Sequence, residues 1–169
     1  GRFTDQKDQL TILRATKILK EKINFRLIII GYGEKEKELL KYIVDNNLTK
    51  YVKIKKILSS PYQLLNQSDI FILSSKYEGL PNVLLEAAAL KKFIISTNCP
   101  TGPKEIIKNG KGGLFFKIGD HYDLSHKILF YLKNKKKLNK KISITYKGLS
   151  RYNFKKNLEK YNNLILNLV

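Results

Sequence analysis

The sequence predicts an α/β domain built on a Rossmann-like parallel sheet of about six strands, with helices on both faces. Three observations lead there. Short apolar runs alternate with helical patterns from end to end. Several runs are apolar on both sides, as strands of a sheet covered on both faces must be. The loops that follow them carry glycine or open a helix, on the carboxyl edge where such sheets bind ligands.

Each element can be justified in order. Residues 7–21 read as a helix with Leu10, Leu13 and Ile18 on its apolar side. Residues 25–30 (Phe-Arg-Leu-Ile-Ile-Ile) read as a buried strand stopped by Gly31-Tyr32-Gly33. Residues 36–46 form a helix with Leu39, Leu40, Ile43 and Val44 inward. In the strand at 52–57, Val52 and Ile54 alternate with Lys53 and Lys55, which suits a position near an edge. A short helix at 61–67 has Pro61 in its first turn. Then come a strand at 70–73, a helix at 82–90, a strand at 93–97, a short helix at 103–109 and a strand at 113–116. Helices at 120–133, 136–150 and 154–168 finish the chain.

At 169 residues the chain supports one real core and not two. It opens at Gly1-Arg2-Phe3 with neither an initiator Met nor a leading strand, and so reads as a single domain, 1–169, cut from a longer protein. No apolar run approaches the ~20 residues of a spanning helix, and no signal peptide is present. The single cysteine, Cys99, excludes an internal disulfide framework and suits a reducing cytoplasm. With His121 and His126 the only histidines, no cluster has metal-site spacing, and a D-x-D carboxylate pair is missing, so no metal is expected.

The net charge of +19 has two readings. One is a footprint for anionic lipid or nucleic acid. The other is compositional: only Arg2, Arg14, Arg26 and Arg151 of the 33 basic residues are arginine, in a chain also rich in Asn and Ile. Arginine is the residue whose planar fork binds phosphate and base edges bidentately. Its scarcity favours composition, with a membrane-surface contribution next. The lysine-rich stretch at 133–141 reads most simply as a solvated bridge between two helices.

Three loops reach the carboxyl edge. Gly31-Tyr32-Gly33-Glu34-Lys35-Glu36 fails as a dinucleotide fingerprint, because Glu36 stands where a third glycine belongs. Its glycines then serve a tight turn or a close backbone approach. In Ser74-Ser75-Lys76-Tyr77-Glu78-Gly79-Leu80-Pro81-Asn82, Gly79 permits positive φ or close ligand approach, and Pro81 fits a helix entrance. The unpaired N–H groups of that helix start, Asn82 and Val83 included, form an anion site. Glu86 lies one turn inside. Glu78 and Glu86 either accept from sugar and ribose hydroxyls, or are an ordinary partner of the helix dipole and a surface glutamate. The third loop, Gly1 to Lys7, sets Arg2 and Lys7 before a helix N-terminus, which disfavours cations unless an anion is bound.

Taken together, Gly1-Arg2 with Gln6-Lys7, Gly31-x-Gly33, Ser68 to Ser75, Glu78-Gly79-Leu80-Pro81-Asn82 with Glu86-Ala87, and Cys99-Pro100-Thr101-Gly102-Pro103-Lys104-Glu105-Ile106 fall in the order and spacing of the family 4 (group 1) glycosyltransferases. Glu78 and Glu86 form that family's pair of glutamates with seven residues between them. The resemblance spans residue 1 to about 120, and the chain looks like the C-terminal, donor-binding domain of a two-domain GT-B enzyme. The variant with Cys-Pro-x-Gly-Pro-x-Glu-Ile resembles bacterial enzymes that build lipopolysaccharide, capsule and lipid-linked oligosaccharides.

The resemblance implies roles. Arg2 and Lys7 would hold the diphosphate of a nucleotide sugar, with the UDP-linked form favoured. Glu86 would bind the ribose, and Glu78 the hydroxyls of the transferred sugar. The backbone from Gly79 through Leu80, Pro81 and Asn82 to Val83 would complete the cradle with its N–H groups, Pro81 excepted because proline has none, and Gly33 and Lys56 would lie beside the nucleotide. Family members retain anomeric configuration and need no metal. The acceptor, a glycan or a lipid-linked one, would come from an N-terminal domain that is absent, and the isolated domain would be inactive. The expected place is the cytoplasm, with peripheral contact at the inner face of the membrane. Two departures stand out: Lys56 and Lys91 occupy positions where members commonly carry glycine, and Lys91 would have to adopt left-handed geometry at a helix end. The rival readings are a nucleotide-sugar epimerase or another GT-B-fold enzyme, and a basic nucleic-acid-binding module. Cys99, with no histidine near it in sequence, reads as a small structural residue, and His121 and His126 as surface or packing residues.

Overall fold

The computed structural model describes residues 1–56 and 60–166. In chain order its elements are α1 (Gln9–Leu19), β1 (Leu27–Ile30), α2 (Glu36–Asp45), β2 (Val52–Lys55), α3 (Tyr62–Asn66), β3 (Ile70–Leu73), α4 (Asn82–Ala89), β4 (Phe93–Thr97), α5 (Gly102–Ile106), β5 (Leu114–Phe116), α6 (His121–Lys133), α7 (Lys135–Leu138), α8 (Lys140–Gly148), a 3-10 turn (Leu149–Tyr152) and α9 (Phe154–Leu166). Side chains set several of the boundaries. The Asp8 carboxylate accepts from the Thr11 N–H and hydroxyl and so starts α1. Asp120 does the same for α6 through the Asp123 N–H, at 2.8 Å. Of the strand expected at 52–57, Val52 to Lys55 is observed, and Ile57 lies outside the described residues, as does the end of the last expected helix.

Every strand pairing is parallel. β1 pairs with β2 from Leu27 opposite Val52 to Ile30 opposite Lys55. β3, β4 and β5 form a second group with β4 in the middle. All five residues of β4 are buried, because helices cover both of its faces. Phe93 and Ile95 pack with Ile12, Ala15 and Leu19 of α1 and Leu124, Ile128 and Tyr131 of α6. Ile94 points the other way, into Leu84, Ala87 and Ala88 of α4 and Ile106 of α5. Burial of these side chains supplies the main stabilisation, at roughly 25 cal/mol per Å² of apolar surface. Among the described residues β2 has β1 as its one strand neighbour, so the Val–Lys alternation marks an edge strand as expected.

Of the α2 residues expected inward, Leu39 and Ile43 are buried, but Leu40 and Val44 are exposed. Two further expectations need correction. Five strands, not about six in one sheet, occur among the described residues, grouped as a pair and a triple. The apolar run at 128–132 lies in a helix and adds no strand, and β1 and β3 do not pair. Instead the first seven residues pass between their carboxyl tips. Gly1 donates to the Ile30 carbonyl, the Phe3 N–H to that of Tyr32, and the Lys76 N–H to that of Gln6. The two groups meet through side chains, since Leu27 of β1 and Ile70 and Ile72 of β3 pack on the same cluster as α1.

The second correction is that the helix expected over 136–150 is divided. Asn134 leaves helical geometry at φ −118° and closes α6, and the chain resumes as α7 and α8 on either side of Asn139. Asn139 accepts from the Tyr131 hydroxyl at 3.0 Å, and Leu138 is buried. Lys135 pairs with Asp69 at 2.7 Å. The lysine-rich stretch is therefore partly a packing element rather than only a solvated bridge. No helix among the described residues is long and apolar enough to cross a membrane.

Candidate functional site

The site grows from the contact between the N-terminal segment and the loop that follows β3. Past Leu73, Ser74 and Ser75 are buried, and each hydroxyl is committed. Ser74 donates to the Lys7 carbonyl at 2.7 Å, and Ser75 donates to Glu78 Oε1 at 2.6 Å. Gln6 Nε2 donates to the Tyr77 carbonyl at 2.9 Å. The segment before α1 is thus sewn to the loop before α4 across 71 residues of sequence. This contact brings Lys7 Nζ to 2.6 Å from Glu78 Oε1.

Both bonds to Glu78 land on one oxygen. Among the described residues no buried side-chain polar atom lacks a partner. Oε2 receives no bond among the described residues and is therefore not fully buried, although the side chain as a whole is only 8% exposed. The carboxylate thus has an anchored oxygen and an available one. Lys7 is 24% exposed, so the pair sits at the rim of the fold rather than deep inside it.

Beside this pair α4 begins. Pro81 precedes its first residue and no side chain caps it; the Leu84 N–H donates to the Pro81 carbonyl at 2.9 Å, and the Asn82 and Val83 N–H groups are left to solvent or a ligand. Asn82 is exposed, Val83 and Glu86 half-buried, and Leu80 is 50% exposed. Gly79 does not use positive φ, and a Cβ placed there would meet nothing within 4 Å. Its role as a turn residue is thereby removed, and close approach of a ligand remains. Glu86 reaches the same locality. It lies within electrostatic range of the Gly1 backbone nitrogen, as Lys7 does. Gly1, Lys7 and Glu86 therefore share one electrostatic neighbourhood.

A third segment supports the turn from behind. The Glu78 N–H donates to the Pro100 carbonyl at 2.7 Å, the Thr101 N–H to Glu78 at 2.7 Å and the Gly102 N–H to Gly79 at 2.9 Å. A Cβ on Gly102 would stand 2.1 Å from the Gly79 oxygen and 2.6 Å from Pro81 Cδ. Here glycine is required by the approach of another backbone. Gly102, Ser74, Ser75 and Gln6 were not singled out as site residues in the sequence, though all lie inside quoted motifs. Their roles depend on long-range contacts that no local spacing expresses.

The remaining sequence-predicted residues are placed as follows. Arg2 is exposed, its backbone bridges to Tyr32, and it has no carboxylate partner among the described residues. Gly33 gives room to the Phe3 backbone, since a Cβ there would lie 2.6 Å from the Phe3 oxygen. Lys56 is exposed just past β2 and is not brought to Lys7 or Glu78 by any contact described. Lys91 does take left-handed geometry, φ 55°, with its ammonium 4.8 Å from the centre of the Tyr146 ring. Cys99 is a free, buried thiol whose pKa burial pushes above 9.0, which matches a packing role. His121 opens α6 against the Tyr122 ring, and His126 is exposed.

The sequence matches a known family. The model for glycosyl transferases group 1 matches residues 1–148. The chain belongs to the group 1 glycosyl transferases. Among relatives of this group 1 chain is an uncharacterized glycosyltransferase of Methanocaldococcus jannaschii, 42% identical over 108 residues, covering 63% of this chain and 27% of that protein. Another is the capsular polysaccharide biosynthesis glycosyltransferase CapM of Staphylococcus aureus, 30% identical over 131 residues, covering 76% of this chain and 34% of that one. The chain spans about a third of the length of such relatives. Among solved structures, S. aureus TarM in complex with UDP superposes with a TM-score of 0.87 at 24% identity, covering 97% of this chain and 34% of that one. Anabaena HepE in complex with UDP gives 0.88 at 18%, covering 99% and 47%. At such identities these likenesses establish the fold of this group 1 chain, a GT-B Rossmann-like domain.

Proposed function

We propose that the chain is the donor-binding part of a retaining, metal-independent glycosyltransferase that takes a UDP-linked hexose or N-acetylhexosamine. It would transfer the sugar to a glycan or lipid-linked acceptor in bacterial surface polysaccharide assembly. The observation that carries this reading is the meeting of Lys7, Glu78 and the uncapped start of α4 at one edge of the sheet. Relatives named for amylovoran, capsule and lipopolysaccharide core biosynthesis support the acceptor class. Structural neighbours described in complex with UDP support the donor.

The residues divide the task. Breaking the bond between sugar and diphosphate develops negative charge on the leaving phosphate, and preorganised donors lower that barrier. Arg2 and Lys7 supply two cations, and the first turn of α4 supplies N–H groups and the positive end of a helix dipole. Glu78 Oε2 accepts from a hydroxyl of the transferred sugar, and Glu86 from the ribose. Gly79 lets the phosphates approach the backbone, while Gly33 and Lys56 lie toward the nucleotide. The acceptor and its supporting residues belong to an N-terminal domain in the same polypeptide, at the cytoplasmic face of the membrane. The isolated chain binds donor and does not transfer it.

Calorimetry with UDP and GDP tests the reading directly. Micromolar-to-millimolar binding of UDP that is lost in Lys7→Ala, Arg2→Ala and Glu86→Ala is the expected result. Absence of heat with both nucleotides, or binding indifferent to all three substitutions, would overturn it. In the full-length enzyme, transfer that survives chelation and yields the donor's anomeric configuration checks the mechanism.

A further inference from the structure

We infer that Ser75 is a positioning residue for Glu78: its buried hydroxyl fixes one carboxylate oxygen so that the other stays available to the sugar when Lys7 turns to the diphosphate. The inference rests on the donor-site reading above and deepens it.

Glu78 Oε1 has two donors. Lys7 Nζ and Ser75 Oγ both donate to it at 2.6 Å. The two donors differ in what else they can do. Lys7 is partly exposed on a flexible stem, and an anion at the start of α4 competes for its ammonium. Ser75 is 0% exposed, so its hydroxyl cannot reach a bound phosphate. Its backbone is pinned as well, because Thr97 Oγ1 donates to the Ser75 carbonyl at 2.6 Å from within the buried β4. Ser75 is thus the donor to Glu78 that ligand binding leaves in place.

Two consequences follow from one hydrogen bond. First, the Glu78 carboxylate keeps its orientation after Lys7 is drawn away, with Oε2 presented outward. A bond to an ionised acceptor is stronger than one between neutral groups, so the constraint is substantial. Second, Lys7 is not the sole partner of a carboxylate whose side chain is only 8% exposed. A lysine that alone compensated such a charge would be held back from the phosphate. Ser75 therefore favours both sugar recognition and the release of Lys7. Its effect should be larger on binding of the sugar than on binding of the nucleotide, since the sugar is what meets Glu78.

The experiment compares UDP with UDP-glucose and UDP-N-acetylglucosamine by calorimetry on the wild-type chain, Ser75→Ala, Ser75→Thr, Glu78→Ala and the Ser75→Ala/Glu78→Ala pair, with thermal melts beside each. Ser75→Ala is expected to weaken the preferred UDP-sugar about tenfold, the size of one lost charge-assisted bond, while UDP changes less than threefold. Ser75→Thr, which restores the hydroxyl, recovers most of the loss, and Ser75→Ala adds nothing once Glu78 is alanine. If Ser75→Ala does not fold, Ser75→Cys keeps the shape with a weak donor and carries the same expectation at a smaller size. Equal loss of UDP and UDP-sugar, or additive effects in the pair, overturns the positioning role and leaves the donor site standing. A wild-type chain that binds neither UDP nor either UDP-sugar overturns the donor reading and this role with it.

Discussion

Two glycines in the site, 23 residues apart, give opposite answers to the same substitution. In Gly102→Ala the new Cβ would stand 2.1 Å from the Gly79 oxygen and 2.6 Å from Pro81 Cδ. Both obstacles are backbone or a ring, so neither can swing aside. Relief requires the 99–106 segment to withdraw by roughly 1 Å, which breaks the 2.9 Å bond from the Gly102 N–H to Gly79 and strains the two bonds at Glu78. One lost backbone bond costs about 1 kcal/mol and forced overpacking about 1–3 kcal/mol. The sum of about 2–4 kcal/mol is a large share of a typical stability of about 5–15 kcal/mol. It lowers Tm by about 5–15 °C in a domain of this size. In Gly79→Ala the Cβ meets nothing within 4 Å and φ is not in the left-handed region, so stability should stay within about 0.5 kcal/mol. Binding behaves the other way: a methyl at Gly79 stands where a phosphate would approach, and UDP affinity should fall at least tenfold. Urea melts and UDP calorimetry on both variants read the contrast. A Gly102→Ala chain that melts with wild type, or a Gly79→Ala chain with full UDP affinity, would refute the reasoning for that glycine.

Further outcomes are expected from the same geometry. Lys7→Ala leaves Glu78 with Ser75 as its remaining donor and should destabilise by about 1–2 kcal/mol, less than a fully buried pair would because Lys7 is partly exposed. Lys7→Ala in a Glu78→Gln background should cost clearly less, and a double-mutant cycle by urea denaturation shows whether the two are coupled. Stability should decline as pH rises above about 9 to 10. Burial raises the pKa of Cys99 above 9.0 and of Tyr131 above 10.0, so the unfolded chain loses these protons first and stability is lost as pH rises toward the folded values. Melts from pH 7 to 11 test this, and Cys99→Ala should remove the earliest part of the decline. Lys91→Gly relieves left-handed strain of about 1 kcal/mol, against about 0.5–1 kcal/mol from the contact with Tyr146. It should be nearly neutral alone and stabilising when Tyr146 is already leucine, as chemical denaturation would show.

The chain's patterning was enough for the order and type of its elements, because each depends on neighbours in sequence. β3 and β4 occur at the expected residues, β4 buried throughout and β3 buried at Leu73 and partly buried before it. The edge position of β2 was visible in its alternating lysines, and the left-handed Lys91 in its place after a helix. The motif residues Arg2, Lys7, Glu78 and Glu86 are named through the resemblance to the group 1 glycosyltransferases, and the family itself is the one that matches residues 1–148.

Partnership was not legible. That Lys7 and Ser75 donate to the same oxygen of Glu78, and that Gly102 rather than Gly79 is the sterically required glycine, follow from how distant segments and loop backbones come together. Local pattern fixes backbone conformation residue by residue. Which side chains meet depends on how β3, β4 and the N-terminal segment come together, and only the tertiary structure decides that. The split of the strands into a pair and a triple belongs to the same class, since strand pairing is a long-range choice that an apolar run does not encode.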